Sequence, residues 1–120
     1  MAPPGLVAWV DSVHTSELYL SVVTVLEVEL GALLKGRKDP AQGAALQQWI
    51  HANVLPTFDG RILPITTEIA RRCAALHVPD PRPQRDAMIA ATALVHGMTV
   101  VTGNVADFKP IGVKLINPCT

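Results

Sequence analysis

The chain has 120 residues, ten basic and ten acidic side chains, a formal net charge of zero and 49% hydrophobic residues. That length suits one domain burying roughly two thirds of its unfolded surface, and a charged content of only 17% excludes a disordered chain. The neutral balance excludes bulk charge as a basis for nucleic-acid binding, so any such binding must be local or metal-mediated. Cys73 and Cys119 are the two cysteines, which excludes a disulfide framework and fits a reducing, cytoplasmic setting. The most apolar stretch, residues 18–34, carries Glu27 and Glu29 and is too short to span a bilayer, so no membrane role is expected. The first residues lack the basic start and apolar core of a secretory signal.

After Pro3, Pro4 and Gly5, the spacing of Leu6, Trp9, Val10 and Val13 predicts a short helix over 6–13. A brief buried strand is expected at 18–22, then a helix over 24–36 with Thr24 as its cap and Gly36 ending it. Asp39 followed by Pro40 opens a second long helix, which should break before Pro56. A short strand at 61–65 ends near Pro64, and Thr66 or Thr67 caps a helix over 68–77. On that helix Ile69, Cys73 and Leu76 share a face and Arg71 and Arg72 point outward. Three prolines in residues 79–85 make a stiff loop that delivers Asp86 to a small-residue, deeply buried helix over 86–97, with Gly97 as C-cap. Strands at 98–102 and 112–117 flank a loop with one helical turn. Strands alternating with helices indicate an α/β fold with an open, mainly parallel sheet, helices on both faces and chemistry at the strand C-termini.

Three carboxylates draw attention because their surroundings are apolar. Glu27 lies one turn into a helix that follows a strand, Asp86 opens a buried helix and Asp107 lies beyond the strand end at Thr102. Each has an ordinary explanation. Asp86 suits the positive end of a helix, Asp107 suits a turn cap, and Glu27 suits a solvated helix face. Meeting above one sheet edge, the three would repel one another unless a hard divalent cation with oxygen ligands, Mg²⁺ or Mn²⁺, held them together. His14, His51 and His77 are scattered without ligand spacing and read as surface or helix residues. Arg71, Arg72, Arg82 and Arg85 suit phosphate contact, a solvated face or a partner surface equally.

The strings SVVTVLEVELG (21–31), RDAMIAATALVHG (85–97) and VVTGNVADF (100–108), in that order, resemble the PIN-domain nucleases, most closely the VapC-type toxins of toxin–antitoxin pairs. The resemblance covers nearly the whole chain. It implies that Glu27, Asp86 and Asp107 are catalytic metal-site acids and that Thr102 and Asn104 shape the loop and support the carboxylates. It also implies Mg²⁺-dependent cleavage of a structured RNA and inhibition by a cognate antitoxin. Gly103 stands where a basic residue is common in the family, which removes one expected RNA contact. The family's opening strand, ending in Asp-Thr-Asn and lying centrally in the sheet, has no match among the 120 residues. The chain is therefore expected to be a single PIN-like domain, 1–120, truncated at its N-terminus and impaired in catalysis. Exposed sheet edges would favour a homodimer or higher oligomer. Two alternatives stand beside the nuclease reading: an inactive PIN-like module that binds an antitoxin, and a different metal-dependent phosphohydrolase on a similar sheet. Which RNA is cut, and which antitoxin binds, is not written in the sequence.

Overall fold

Ser21 ends a two-residue strand and starts a long helix at the same time. In a computed structural model describing residues 15–118, strand β1 (Leu20–Ser21) runs directly into α1 (Val22–Lys38). The buried Ser21 hydroxyl accepts a hydrogen bond from the Val23 amide at 3.0 Å. Thr24, the expected cap, lies inside the helix. Ser21 takes the role because its extended backbone turns the chain out of the strand. Lys35, Arg37 and Lys38 occupy the last turn of α1, where cations complement the helix dipole. The helix therefore runs past Gly36. Asp39 then serves two helices: its amide donates to Lys35 O at 2.8 Å, and its carboxylate accepts from the Gln42 amide at 3.2 Å to cap α2 (Pro40–Trp49).

The expected break before Pro56 is absent. Residues Ile50–Val54 form a π-helical stretch that carries α2 into α3 (Leu55–Thr57) without interruption. Proline lacks an amide hydrogen and clashes with the carbonyl a turn earlier; widening the preceding turn relieves that conflict. The Leu55 amide bonds Ile50 O, and the ordinary pattern resumes with Phe58 N to Val54 O. Strand β2 (Ile62–Leu63) pairs parallel with β1, Leu20 opposite Ile62 and Ser21 opposite Leu63. The Arg61 guanidinium donates to the carbonyls of Leu18 and Thr57 and lies over the Phe58 ring, 5.2 Å from its centroid.

The chain divides into two compact units, one spanning Leu18–Pro64 and the other, among the described residues, 15–17 and 65–118. In the second unit Thr66 caps α4 (Thr67–Leu76) by accepting from the Ile69 amide at 3.2 Å. The helix α5 (Gln84–His96) is lined with alanine and ends at Gly97, whose φ of 66° is the left-handed cap conformation. Two apolar clusters form around it. Ala87 and Ala91 meet Ile69 and Cys73 of α4. Ala90 and Ala93 meet Val100 of β3 (Val100–Val101), Phe108 of α6 (Val105–Phe108) and Val113. Methyl-sized side chains let α5 pack closely on two sides, and the buried Thr92 hydroxyl is satisfied by Met88 O at 2.8 Å.

β3 pairs parallel with β4 (Leu115–Ile116), Val100 opposite Leu115 and Val101 opposite Ile116. The α/β character and parallel pairing agree with the sequence reading. The described strands, however, are two residues long and form two separate pairs, β1–β2 and β3–β4. The expected helix over 6–13 lies outside the described residues.

Candidate active site

Thr102 follows β3 directly, and its amide is held by Ile116 O of β4 at 3.0 Å. From that fixed strand end the chain turns into α6. The Thr102 hydroxyl accepts from the Asn104 amide at 3.0 Å, and the Asn104 side-chain amide donates to Asp107 Oδ2 at 2.6 Å. Asp107 is therefore not the cap of this turn. Asn104 occupies the cap position, and Asp107 sits in the first turn as the acceptor of its amide. The next residue, Phe108, is 3% exposed and packs among Ala90, Ala93, Val100 and Val113. A buried aromatic ring thus anchors the turn while its neighbouring carboxylate stays half-buried and reachable.

Asp86 is reached from α4 through residues 77–83. α5 begins at Gln84, two residues before the position expected from sequence, so Asp86 is its third residue rather than its first. A carboxylate there interacts favourably with the positive end of the helix dipole. Asp86 is half-buried, and Ala87 behind it is completely buried against α4. Glu27 stands on α1 in the other unit, also half-buried. The second unit thus carries Asp86, Asp107, Thr102 and Asn104, and the first carries Glu27.

The donor chemistry of these side chains fits a hard cation. Carboxylate oxygens suit Mg²⁺, which commonly uses one or two protein carboxylates and fills its other positions with water and substrate phosphate. Asn104 satisfies one oxygen of Asp107, and a carboxylate has acceptor capacity beyond one hydrogen bond. Among the described residues, no group of three or more His, Cys, Asp and Glu side chains is gathered closely enough to hold a metal ion.

One arrangement escaped the sequence reading. His77, read there as a surface or helix residue, accepts the Arg82 amide at Nδ1 over 3.1 Å and has Nε2 4.0 Å from the Cys73 sulfur. Burial pushes the Cys73 thiol above its ordinary value. The four-residue spacing of Cys73 and His77 on a helix was the available signal.

Residues 5–112 match the family described as PIN domain. The chain is 37% identical to the toxin FitB of Neisseria gonorrhoeae, the alignment covering 94% of this chain and 84% of that protein. It is 32% identical to the VapC ribonuclease Y4jK of Sinorhizobium fredii, over 95% of this chain and 84% of the relative. The crystal structure of FitAcB from Neisseria gonorrhoeae superposes with a TM-score of 0.89 at 32% identity, covering 98% of this chain and 87% of that one.

Proposed function

Because the chain belongs to the PIN-domain family and has a VapC ribonuclease and a toxin among its relatives, we propose that it is a toxin-type, Mg²⁺-dependent endoribonuclease acting as a single PIN-like domain. The observation that carries this reading is the hydrogen-bonded run from Thr102 through Asn104 to Asp107 at the C-terminal end of a parallel strand. Open α/β sheets place their chemistry at that end. Asp107 and Asp86 are the carboxylates this reading assigns to the cation, and Glu27 is added to them on the sequence resemblance alone. When bound, Mg²⁺ supplies Lewis-acid stabilisation of the phosphodiester and a water nucleophile.

The chain's own residues do the rest. Asn104 fixes the orientation of the Asp107 carboxylate, and Thr102 fixes Asn104. The Asp86 carboxylate lies in the first turn of α5, at the positive end of the helix dipole. Exposed Arg71, Arg72 and Arg85 suit the phosphates of a structured RNA. In-line attack by water at phosphorus, with the 3′ oxygen leaving, gives a 5′-phosphate and a 3′-hydroxyl.

The test is cleavage of labelled structured RNA with Mg²⁺ and with chelator, for the chain and for Asp107→Asn. The same assay is run on an extended protein in which a strand ending in Asp-Thr-Asn, the pattern the resemblance implies, is joined at the N-terminus. In that extended protein Asp107→Asn should lower the rate by at least about 100-fold. Unchanged cleavage by Asp107→Asn, or full activity in chelator, refutes the reading.

A second reading concerns the partner. α1 and α2 leave Leu26, Leu33, Leu34, Leu46 and Trp49 exposed, Leu33 by 56% and Leu34 by 55%. Near Gly36 and Gly43 the two helices touch backbone to backbone, so these outward side chains, rather than a cleft at that crossing, suit the apolar stripe of an antitoxin helix. Copurification with the co-expressed neighbouring gene product tests it.

A further inference from the structure

The connection between α4 and α5 is unusually poor in hydrogen-bond donors. Residues 78–83 read Val-Pro-Asp-Pro-Arg-Pro, and each proline lacks an amide hydrogen. The Val78 amide stays with the helix it leaves, bonding Ala75 O at 3.2 Å. The second half of the connection is held back to α4 by a side chain: the Arg82 amide donates to His77 Nδ1 at 3.1 Å. His77 is itself fixed, with its backbone amide on Ala74 O as the C-cap of α4 and its ring half-buried beside Cys73. Because Nδ1 accepts, the neutral ring carries its proton on Nε2, the nitrogen facing the Cys73 sulfur.

Little slack separates this bond from the acid. Pro81 and Pro83 flank Arg82 and have restricted φ. Pro83 is the N-cap of α5, its carbonyl accepts from the Ala87 amide at 2.9 Å, and Asp86 lies within that first turn. Where Arg82 is pinned, the first turn of α5 is pinned too. The geometry points to His77 as a positioning residue for Asp86: its Nδ1 holds the proline-rich connection so that the Asp86 carboxylate is presented in one place.

The inference rests on the reading of Asp86 as a metal-site acid only for its functional consequence, so its test begins without metal. In the full chain, carbon-13 and amide NMR would follow the Asp86 carboxyl, the Ala87 amide and exchange of the Arg82 amide. His77→Ala removes the acceptor. His77→Asn returns an oxygen near the position of Nδ1, and His77→Gln places its amide farther out. Expected is faster Arg82 exchange and shifted Asp86 and Ala87 resonances in His77→Ala and His77→Gln, restored in His77→Asn, while resonances of Leu18–Pro64 stay in place. Mn²⁺ titration should then show affinity lowered about 10-fold or more in His77→Ala and recovered in His77→Asn, the scale on which displaced supporting groups act. Asp86 and Ala87 resonances unmoved in His77→Ala overturn the inference, as does equal disturbance in His77→Asn. If those resonances respond and the unmutated chain binds no Mn²⁺, the positioning role stands and the metal-site reading falls. Should His77→Ala fail to fold, His77→Gln against His77→Asn gives the same comparison.

Discussion

Asp107 and Phe108 are adjacent and have opposite tasks, one kept half-open to solvent and the other driven into the core. Asn104 connects the two roles, because its amide holds the carboxylate while the ring fixes the turn. Asn104→Ala should therefore leave the fold intact, cost about 1 kcal/mol or less of stability at this exposed bond, and lower cleavage by the extended protein more than it lowers RNA binding. Separate measurement of kcat and KM checks this. Cys73 offers a second test at this scale. Burial raises its thiol pKa, so the folded state holds the proton more tightly than the unfolded one. Its contribution to stability is complete below the ordinary thiol value and falls as pH rises from there through the raised folded value. Urea midpoints in alkaline buffer should show that decline for the unmutated chain and a smaller one for Cys73→Ala. Peptide mapping after alkylation at neutral pH should find Cys73 unmodified until the protein unfolds.

At the scale of elements, the α1–α2 hairpin is governed by the close approach of two glycines. A Cβ on Gly43 would stand 2.3 Å from Gly36 Cα and 2.8 Å from Gly36 N. Both are backbone atoms, so relief requires the helices to separate. Gly43→Ala should destabilise the protein by roughly 1–3 kcal/mol, toward the upper end. Gly31 is the contrast: it is exposed in the middle of α1 with nothing within 4 Å of a built Cβ. Gly31→Ala should stabilise by up to about 1 kcal/mol, because alanine removes the backbone freedom that glycine loses in a helix. Thermal unfolding of the two variants side by side would show shifts of opposite sign. These glycines look alike in the sequence, and only the neighbouring helix separates them.

For the molecule as a whole, zero net charge leaves solubility and partner choice to local surfaces. The exposed large hydrophobic residues of the Leu18–Pro64 unit include Tyr19, Val22, Leu26, Leu33 and Leu34 before and along α1 and Leu46 and Trp49 of α2. Apolar area of this kind ordinarily marks an interaction surface. If the proposed antitoxin docks here, the Leu33→Glu, Leu34→Glu double variant should abolish its copurification while leaving the proposed Mn²⁺ binding and RNA cleavage of the extended protein unchanged. Light scattering of the isolated chain would show whether the same substitution also dissolves a homodimer. Among the described residues no helix is long and apolar enough to cross a membrane.

The sequence by itself determined the features that depend on neighbours a few residues apart. Asp39 before Pro40, Thr66 before Ile69 and Gly97 after His96 are caps whose partners lie within one helical turn. The alternation of strand and helix, and the motifs around Glu27, Asp86 and Asp107, were legible for the same reason. Tertiary structure decided what depends on residues far apart or on competing local solutions. Ser21 displaced Thr24 as the cap because β1 pairs with β2 and ends there. A π-helical turn carried the chain through Pro56 where local rules call for a stop. The close contact of Gly36 with Gly43 and the hold of His77 on Arg82 depend on how the chain turns from one helix into the next, which short-range patterns do not specify. Local chemistry selects how each segment begins and ends, whereas close packing selects which atoms meet.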